Sequence, residues 1–134
     1  MAHRYVLDTH ALVWHLEGNP RLGPQAKRVI EDPQSSLVLP IIALAEAAYI
    51  VEHGRTAIPT VADLLRSVLA DLRISIHPLN WEVFQESLNA AVLPEMHDRL
   101  IVGSAVYLRS LGDTVALLTK DASIAASQLV TTLW

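Results

Sequence analysis

Cysteine is absent from this chain of 134 residues. Disulfides, thiolate metal centres and cysteine nucleophiles are thereby excluded. Charge is scarce, at 18% of residues, and none of the excess is basic: 10 Lys and Arg face 14 Asp and Glu, for a formal net charge of −4. Nucleic-acid binding usually needs a basic footprint, so this balance argues mildly against it. Long apolar runs are also missing. Crossing a bilayer takes roughly 18 uncharged residues. The uncharged run from Ala122 to Trp134, as long as any, carries Ser, Thr and Gln. After His3 and Arg4, only Tyr5-Val6-Leu7 precede Asp8, too few for the apolar centre of a signal peptide. The expectation is a soluble, cytoplasmic protein with no membrane attachment. The 6 histidines show no paired ligand spacing of the HExxH kind.

What remains is aliphatic. Hydrophobic residues make up 51% of the chain, enough for one core in a single domain over residues 1–134. The surplus suggests that a partner subunit covers some apolar surface. There is no internal repeat and no long linker. Strand-like and helix-like segments alternate, the pattern of a parallel sheet with helices on both faces. Strands are expected at residues 4–7, 36–39, 74–77, 115–119 and 130–133. Helices are expected at 9–17, 24–31, from Pro40 to about 53, from a Thr60 cap, from an Asn80 cap to about 91, and at 97–111. Val61, Leu64, Leu65, Val68, Leu69 and Leu72 form an amphipathic stripe at helical spacing.

Four carboxylates stand where folding alone does not call for them. Asp8 closes Tyr5-Val6-Leu7. Glu46 is the only charge between Leu37 and Val51. Asp98 shares a core-facing stripe with Ile101, Val102 and Ala105. Asp121 follows the apolar run that begins at Val115. A buried carboxylate is costly unless it is paired or binds a cation. In parallel sheets, sites form beyond the carboxyl ends of strands, and all four acids can reach that edge. Oxygen-only donors favour hard cations such as Mg²⁺ or Mn²⁺. One or two such ions activate water and stabilise an in-line phosphoryl displacement. Four acids gathered into one site would also leave the rest of the chain charge-neutral, which removes the objection to a polyanionic substrate.

Four segments carry a family likeness: Leu7-Asp8-Thr9-His10-Ala11-Leu12-Val13-Trp14; Glu46 in its Ala-rich helix with Gly54-Arg55 following; Met96-His97-Asp98-Arg99-Leu100-Ile101; and Leu118-Thr119-Lys120-Asp121. In this order they resemble the PIN domain and, more narrowly, the VapC-type toxins of bacterial toxin–antitoxin pairs. The resemblance implies a three-layer α/β/α sandwich around a parallel sheet of about five strands. It also implies Mg²⁺- or Mn²⁺-dependent endoribonuclease activity on RNA, a homodimer, and inhibition by a cognate antitoxin protein. The family's metal-binding acids map onto Asp8, Glu46, Asp98 and Asp121, the residues already singled out. Thr9, Thr119, Glu95 and Arg99 are candidates for the surrounding layer. Where many relatives carry Asp-Pro-Phe-Asp-Arg, this chain has Glu95-Met96-His97-Asp98-Arg99, so Glu95 replaces the first acid. The helix carrying Glu46 often begins with Ser after its strand; here the region is Pro40-Ile41-Ile42-Ala43.

Plainer readings stand beside these. Asp8 could be a helix cap, Asp98 an acid favoured by the helix dipole, and Asp121 a turn residue. His10 and His15 read as structural, and the three tryptophans as core or interface. Arg4, Arg21, Lys27, Arg28, Arg55 and Lys120 are candidate phosphate contacts with no basis for choosing among them. The apolar helix 41–51 and the apolar C-terminus are candidate partner surfaces. The competing functions are a non-catalytic PIN-fold interaction module and an aspartate-nucleophile phosphatase. The phosphatase expects Asp-x-Asp, and His10 occupies the second acid's place.

Overall fold

Short β-branched and Leu-rich runs, each closed by a turn or a cap, become the strands of a parallel sheet. The structure, a computed structural model, describes residues 3–134. The strands are β1 (His3–Leu7), β2 (Ser36–Pro40), β3 (Ile74–His77), β4 (Thr114–Leu118) and β5 (Thr131–Leu133). All pairings are parallel, in the order β3-β2-β1-β4-β5. Val6, Leu7, Leu37, Val38, Leu39, Leu117 and Leu118 are fully enclosed. That is why these strands read as continuous apolar runs rather than as alternating ones.

The helices are α1 (Thr9–Glu17), α2 (Pro24–Glu31), α3 (Ile41–Glu52), α4 (Val61–Ala70), α5 (Trp81–Leu88), α6 (Met96–Ser110) and α7 (Ala122–Ser127). They complete a three-layer α/β/α sandwich around the sheet. Local chemistry sets their ends. Gly18 takes φ 66° to close α1, a left-handed conformation that suits glycine. Thr60 caps α4 through Asp63 N–H, and Asn80 caps α5 through Val83 N–H.

Three expectations change. Pro40 belongs to β2, paired with His77, and the helix starts at Ile41. At the strand's last position its missing N–H is tolerated. A helix, α7, fills residues left unassigned in the sequence. The α4 stripe is only half covered: Leu64 and Val68 are buried, while Leu65, Leu69 and Leu72 face outward.

The site is positioned by the strand order. β1 is central, with β2 on one side and β4 on the other, so the connections leaving β1 and β4 diverge. A crevice opens beyond their carboxyl ends, the usual place for a site in an open parallel sheet.

Candidate active site

Asp8 is the first residue past β1 and the cap of α1. One carboxylate oxygen accepts from Thr9 N–H at 2.7 Å and the other from the Thr119 hydroxyl at 2.5 Å. Thr119 stands just past β4, only 4% exposed, and its Oγ1 also accepts from Asp121 N–H at 3.1 Å. Asp121 caps α7 through Ile124 N–H at 3.0 Å. One buried threonine thus ties together the acids of two neighbouring strand ends. The capping readings of Asp8 and Asp121 are both realised, and neither exhausts its carboxylate, since each oxygen can accept more than one bond.

Glu46 approaches from α3. Its Oε1 accepts from the buried Thr9 hydroxyl at 3.0 Å, and its Oε2 lies 3.2 Å from His97 Nδ1. Glu95 caps α6 by accepting from Asp98 N–H at 3.1 Å, and its Oε1 lies 3.5 Å from the same His97 nitrogen. Asp98 sits in the first turn of α6, where Ile101, Val102 and Ala105 are buried, as the inward stripe requires.

All four acids line one cavity of about 200 Å³, with Thr9, His10, Ile50 and Lys120. A larger apolar cavity of about 350 Å³, lined by Ile42, Ala45, Glu46, Tyr49 and His97, adjoins it through Glu46. The electrostatics of the acid cavity are repulsive at Asp98. Loss of water raises the Asp98 carboxyl first, and the charges of Asp121, Asp8, Glu95 and Glu46 raise it further, to about 6. Burial also raises Asp8, against the hydrogen bonds from Thr119 and Thr9 and the nearby His10. Mutually repelling carboxylates that share a cavity are what a dication would stabilise.

Among the described residues, no three His, Asp or Glu side chains are already drawn in to coordinating distance. The fit to a hard cation therefore rests on the donor set. Asp98 accepts no side-chain hydrogen bond from the described residues, and Asp8 and Asp121 retain free acceptor capacity. An oxygen-only donor set of this kind suits Mg²⁺ or Mn²⁺.

Of the surrounding candidates, Thr9 and Thr119 lie inside the network and Glu95 at its rim. Arg99 does not join it. Its guanidinium donates to the carbonyls of Leu93 at 2.6 Å and Ala91 at 3.1 Å. It pins the loop before α6 and so acts on the site only through the placement of Asp98. Two residues of the site carried no sequence signal as such, His97 and His10, and Lys120 was one of six cations with no basis for choosing it. His10, expected to be structural, lines the acid cavity. The only hint for His97 was that Glu46 lacks a basic neighbour on its own helix and needs a partner from elsewhere.

Solved structures share this architecture. A toxin–antitoxin complex from Klebsiella pneumoniae is 18% identical, with a TM-score of 0.67 and 96% of each chain covered. VapBC2 from Rickettsia felis, bound to a DNA fragment from its promoter, is 14% identical, with a TM-score of 0.69 and 97% of each chain covered. VapC20 from Mycobacterium tuberculosis, a Sarcin-Ricin loop cleaving toxin, is 12% identical, with a TM-score of 0.68, covering 94% of this chain and 96% of that one. At such identities the likeness speaks for the fold. No curated protein matches the chain in sequence. The PIN-domain family model matches residues 5–129, spanning the strand ends and helices that bring the four acids together, and the chain belongs to the PIN-domain family.

Proposed function

We propose that this protein is a Mg²⁺- or Mn²⁺-dependent endoribonuclease that acts as the toxin of a toxin–antitoxin pair. The observation that carries this reading is the acid cavity. Four carboxylates from four separate segments share it, and burial first, with the neighbouring charges behind it, raises Asp98 to about 6. Folding alone gives no reason to assemble such a group.

In this reading Asp8, Asp98 and Asp121 hold one or two divalent ions. A bound ion supplies Lewis acidity toward water and the phosphoryl oxygens. Glu46 is fixed in orientation from two sides, by Thr9 and by His97. A fixed carboxylate at the cavity edge is suited to orient the attacking water and accept its proton, and it can also complete the ligand set. Thr119 holds Asp8 in place, so that its orientation does not have to be organised during the reaction. The likeness to VapC20 supports RNA as the substrate. The VapBC complexes support an antitoxin partner, and a cytoplasmic homodimer is what the family resemblance implies. Among the described residues no helix is long and apolar enough to cross a membrane.

The test is cleavage of a mixed RNA pool with Mg²⁺, with Mn²⁺ or with EDTA, wild type beside Asp98→Asn. Metal-dependent cutting by wild type alone is the expected result. Equal cutting by folded Asp98→Asn protein would falsify the assignment. Cutting by neither would leave the interaction-module reading in possession.

A further inference from the structure

The candidate phosphate contacts are sorted by what each cation touches. Arg4 lies toward the amino end of β1, away from the site, with its Nε 3.8 Å from Asp113. Lys27 reaches Glu31 at 3.9 Å along α2. Two others converge on one aromatic ring beside the acid cavity. Lys120 Nζ lies 4.7 Å from the centroid of the Trp14 ring, and the Arg21 guanidinium carbon lies 5.9 Å from it.

These two cations come from distant parts of the chain, Arg21 from the turn after α1 and Lys120 from the corner between β4 and α7. Neither makes an ion pair within 4.0 Å among the described residues. Arg21 acts on Glu17 only at longer range. The case of Lys120 is the more telling. It lines the cavity with Asp8, Asp98 and Asp121, yet its ammonium rests on Trp14 rather than against any of them. A lysine serving to neutralise the acids would pair with Asp98, whose charge is left uncompensated by any close cation.

The ring is a fixed seat. Trp14 is 7% exposed and packed between the rings of His10 at 5.2 Å and Trp134 at 5.9 Å. The side chain of Trp134 is itself held close because position 23 is glycine: a Cβ there would stand 2.4 Å from the Trp134 carbonyl carbon and 2.6 Å from its ring. A π face attracts a cation through its quadrupole and leaves the N–H donors available. Two like charges thus share one ring, Lys120 at the acid cavity and Arg21 on the Trp14 indole beside it, in a chain of net charge −4. A polyanion is the ligand that such a pair suits.

We propose that Lys120 and Arg21, seated on the Trp14 indole, bind successive phosphates of the RNA strand as it leaves the acid cavity on the His10 side. This rests on the nuclease reading above. The contact is with the backbone, so it binds every sequence alike and adds affinity where the net charge supplies none.

The test measures binding of a short, labelled, mixed-sequence single-stranded RNA in Mg²⁺ as a function of salt, in an Asp98→Asn background that does not cut. Affinity for single strands falls with salt at a logarithmic slope of about 0.7 per phosphate contact. Lys120→Met and Arg21→Met should each flatten the slope by about 0.7, and together by about 1.4, and weaken low-salt binding for all sequences. Lys120→Arg should keep both slope and affinity, and Arg28→Met, an exposed cation on α2, should change neither. In the cutting protein the two Met variants should raise KM with kcat little altered. Unchanged slopes in folded Lys120→Met and Arg21→Met proteins overturn the seat while leaving the nuclease intact. Cleavage by the Asp98→Asn background, or its failure to bind RNA at any salt, overturns the nuclease reading and the seat with it.

Discussion

At the scale of single residues, Asp98 carries an opposition between stability and function. Its carboxyl titrates near 6 in the folded protein and near 3.8 in the unfolded chain. Below about pH 4 both states are protonated and the group contributes nothing to stability. Between about pH 4 and 6 the folded state holds the proton more tightly, so stability falls as pH rises through this window, and the full penalty persists above it. Asp8, also raised, adds to the same trend. Melting in EDTA should therefore show wild type losing stability from mildly acid to neutral pH. Asp98→Asn should melt higher than wild type at neutral pH while failing to cleave. Added Mg²⁺ should restore wild type far more than the variant, and cleavage should fade as pH drops through about 6. If wild type and Asp98→Asn show the same loss of stability with pH, ionisation of the buried Asp98 is not its source. The same residue shows what the sequence discloses of a site. Asp98, like Asp8, Glu46 and Asp121, is legible because a charge interrupts an apolar pattern. His97 interrupts nothing and acquires meaning only when α3 meets α6, and Lys120 is singled out from the other candidate cations only when β4 meets α1. Arg99 misleads through adjacency. Consecutive helical residues point about 100° apart, so an inward Asp98 already sends Arg99 elsewhere, here to the carbonyls of Leu93 and Ala91.

At the scale of elements, the placement of Asp98 depends on how closely α5 and α6 approach. Gly103 sits at their contact. A Cβ there would stand 2.9 Å from the Val83 carbonyl oxygen and 3.1 Å from Ser87 N, both backbone atoms of α5 that cannot swing aside. Gly103→Ala gains helix propensity of about 0.5–1 kcal/mol. Forcing the helices apart costs about 1–3 kcal/mol, so the net expectation is destabilisation. Cleavage should weaken too, because α6 carries Asp98 and His97. Denaturant unfolding settles the sign, and a more stable Gly103→Ala protein would show that α5 can shift without cost. Most elements are readable without the structure because caps and turns mark them: Gly18, Thr60, Asn80 and Gly112 stand at or beside observed boundaries. The helix α7 is not readable, since Ala122-Ser123-Ile124-Ala125-Ala126-Ser127 is too short to show a period and buries only Ile124. Pro40 was ambiguous for a physical reason: it ends β2 and caps α3 at once. That β1 lies between β2 and β4 is a long-range fact that no local pattern encodes.

At the scale of the whole molecule, the apolar surplus ends up in unexpected places. The helix α3 and the C-terminus were the expected partner surfaces; Ala43, Leu44, Ala47 and Val51 of α3 are core and Trp134 packs on Trp14, while Ile41 and Tyr49 of α3 stay exposed. Exposed apolar side chains also form two further strips. One is Leu65 and Leu69 on α4 with Leu72 just beyond it, the last 96% exposed; the other is Trp81, Phe84 and Leu88 on α5. Leu65 and Leu69 on α4, and Trp81, Phe84 and Leu88 on α5, repeat at helical spacing, so each helix carries a strip rather than scattered residues. The proposed function calls for two protein partners, a second copy of the chain and an antitoxin, and two separate strips can serve them without competition. The expected result is therefore a clean division. Leu69→Lys with Leu72→Lys should abolish one assembly, and Trp81→Ser with Leu88→Ser the other. Light scattering on the protein alone and with its antitoxin would read this directly. Neither pair touches the acid cavity, so cleavage by the antitoxin-free α4 variant should match wild type. If either pair abolishes both assemblies, the strips act as one surface and toxin dimerisation is coupled to antitoxin capture. If neither pair disturbs either assembly, the partners bind elsewhere, with Ile41 and Tyr49 of α3 the next apolar surface to test, and the two strips remain uncovered in the complex.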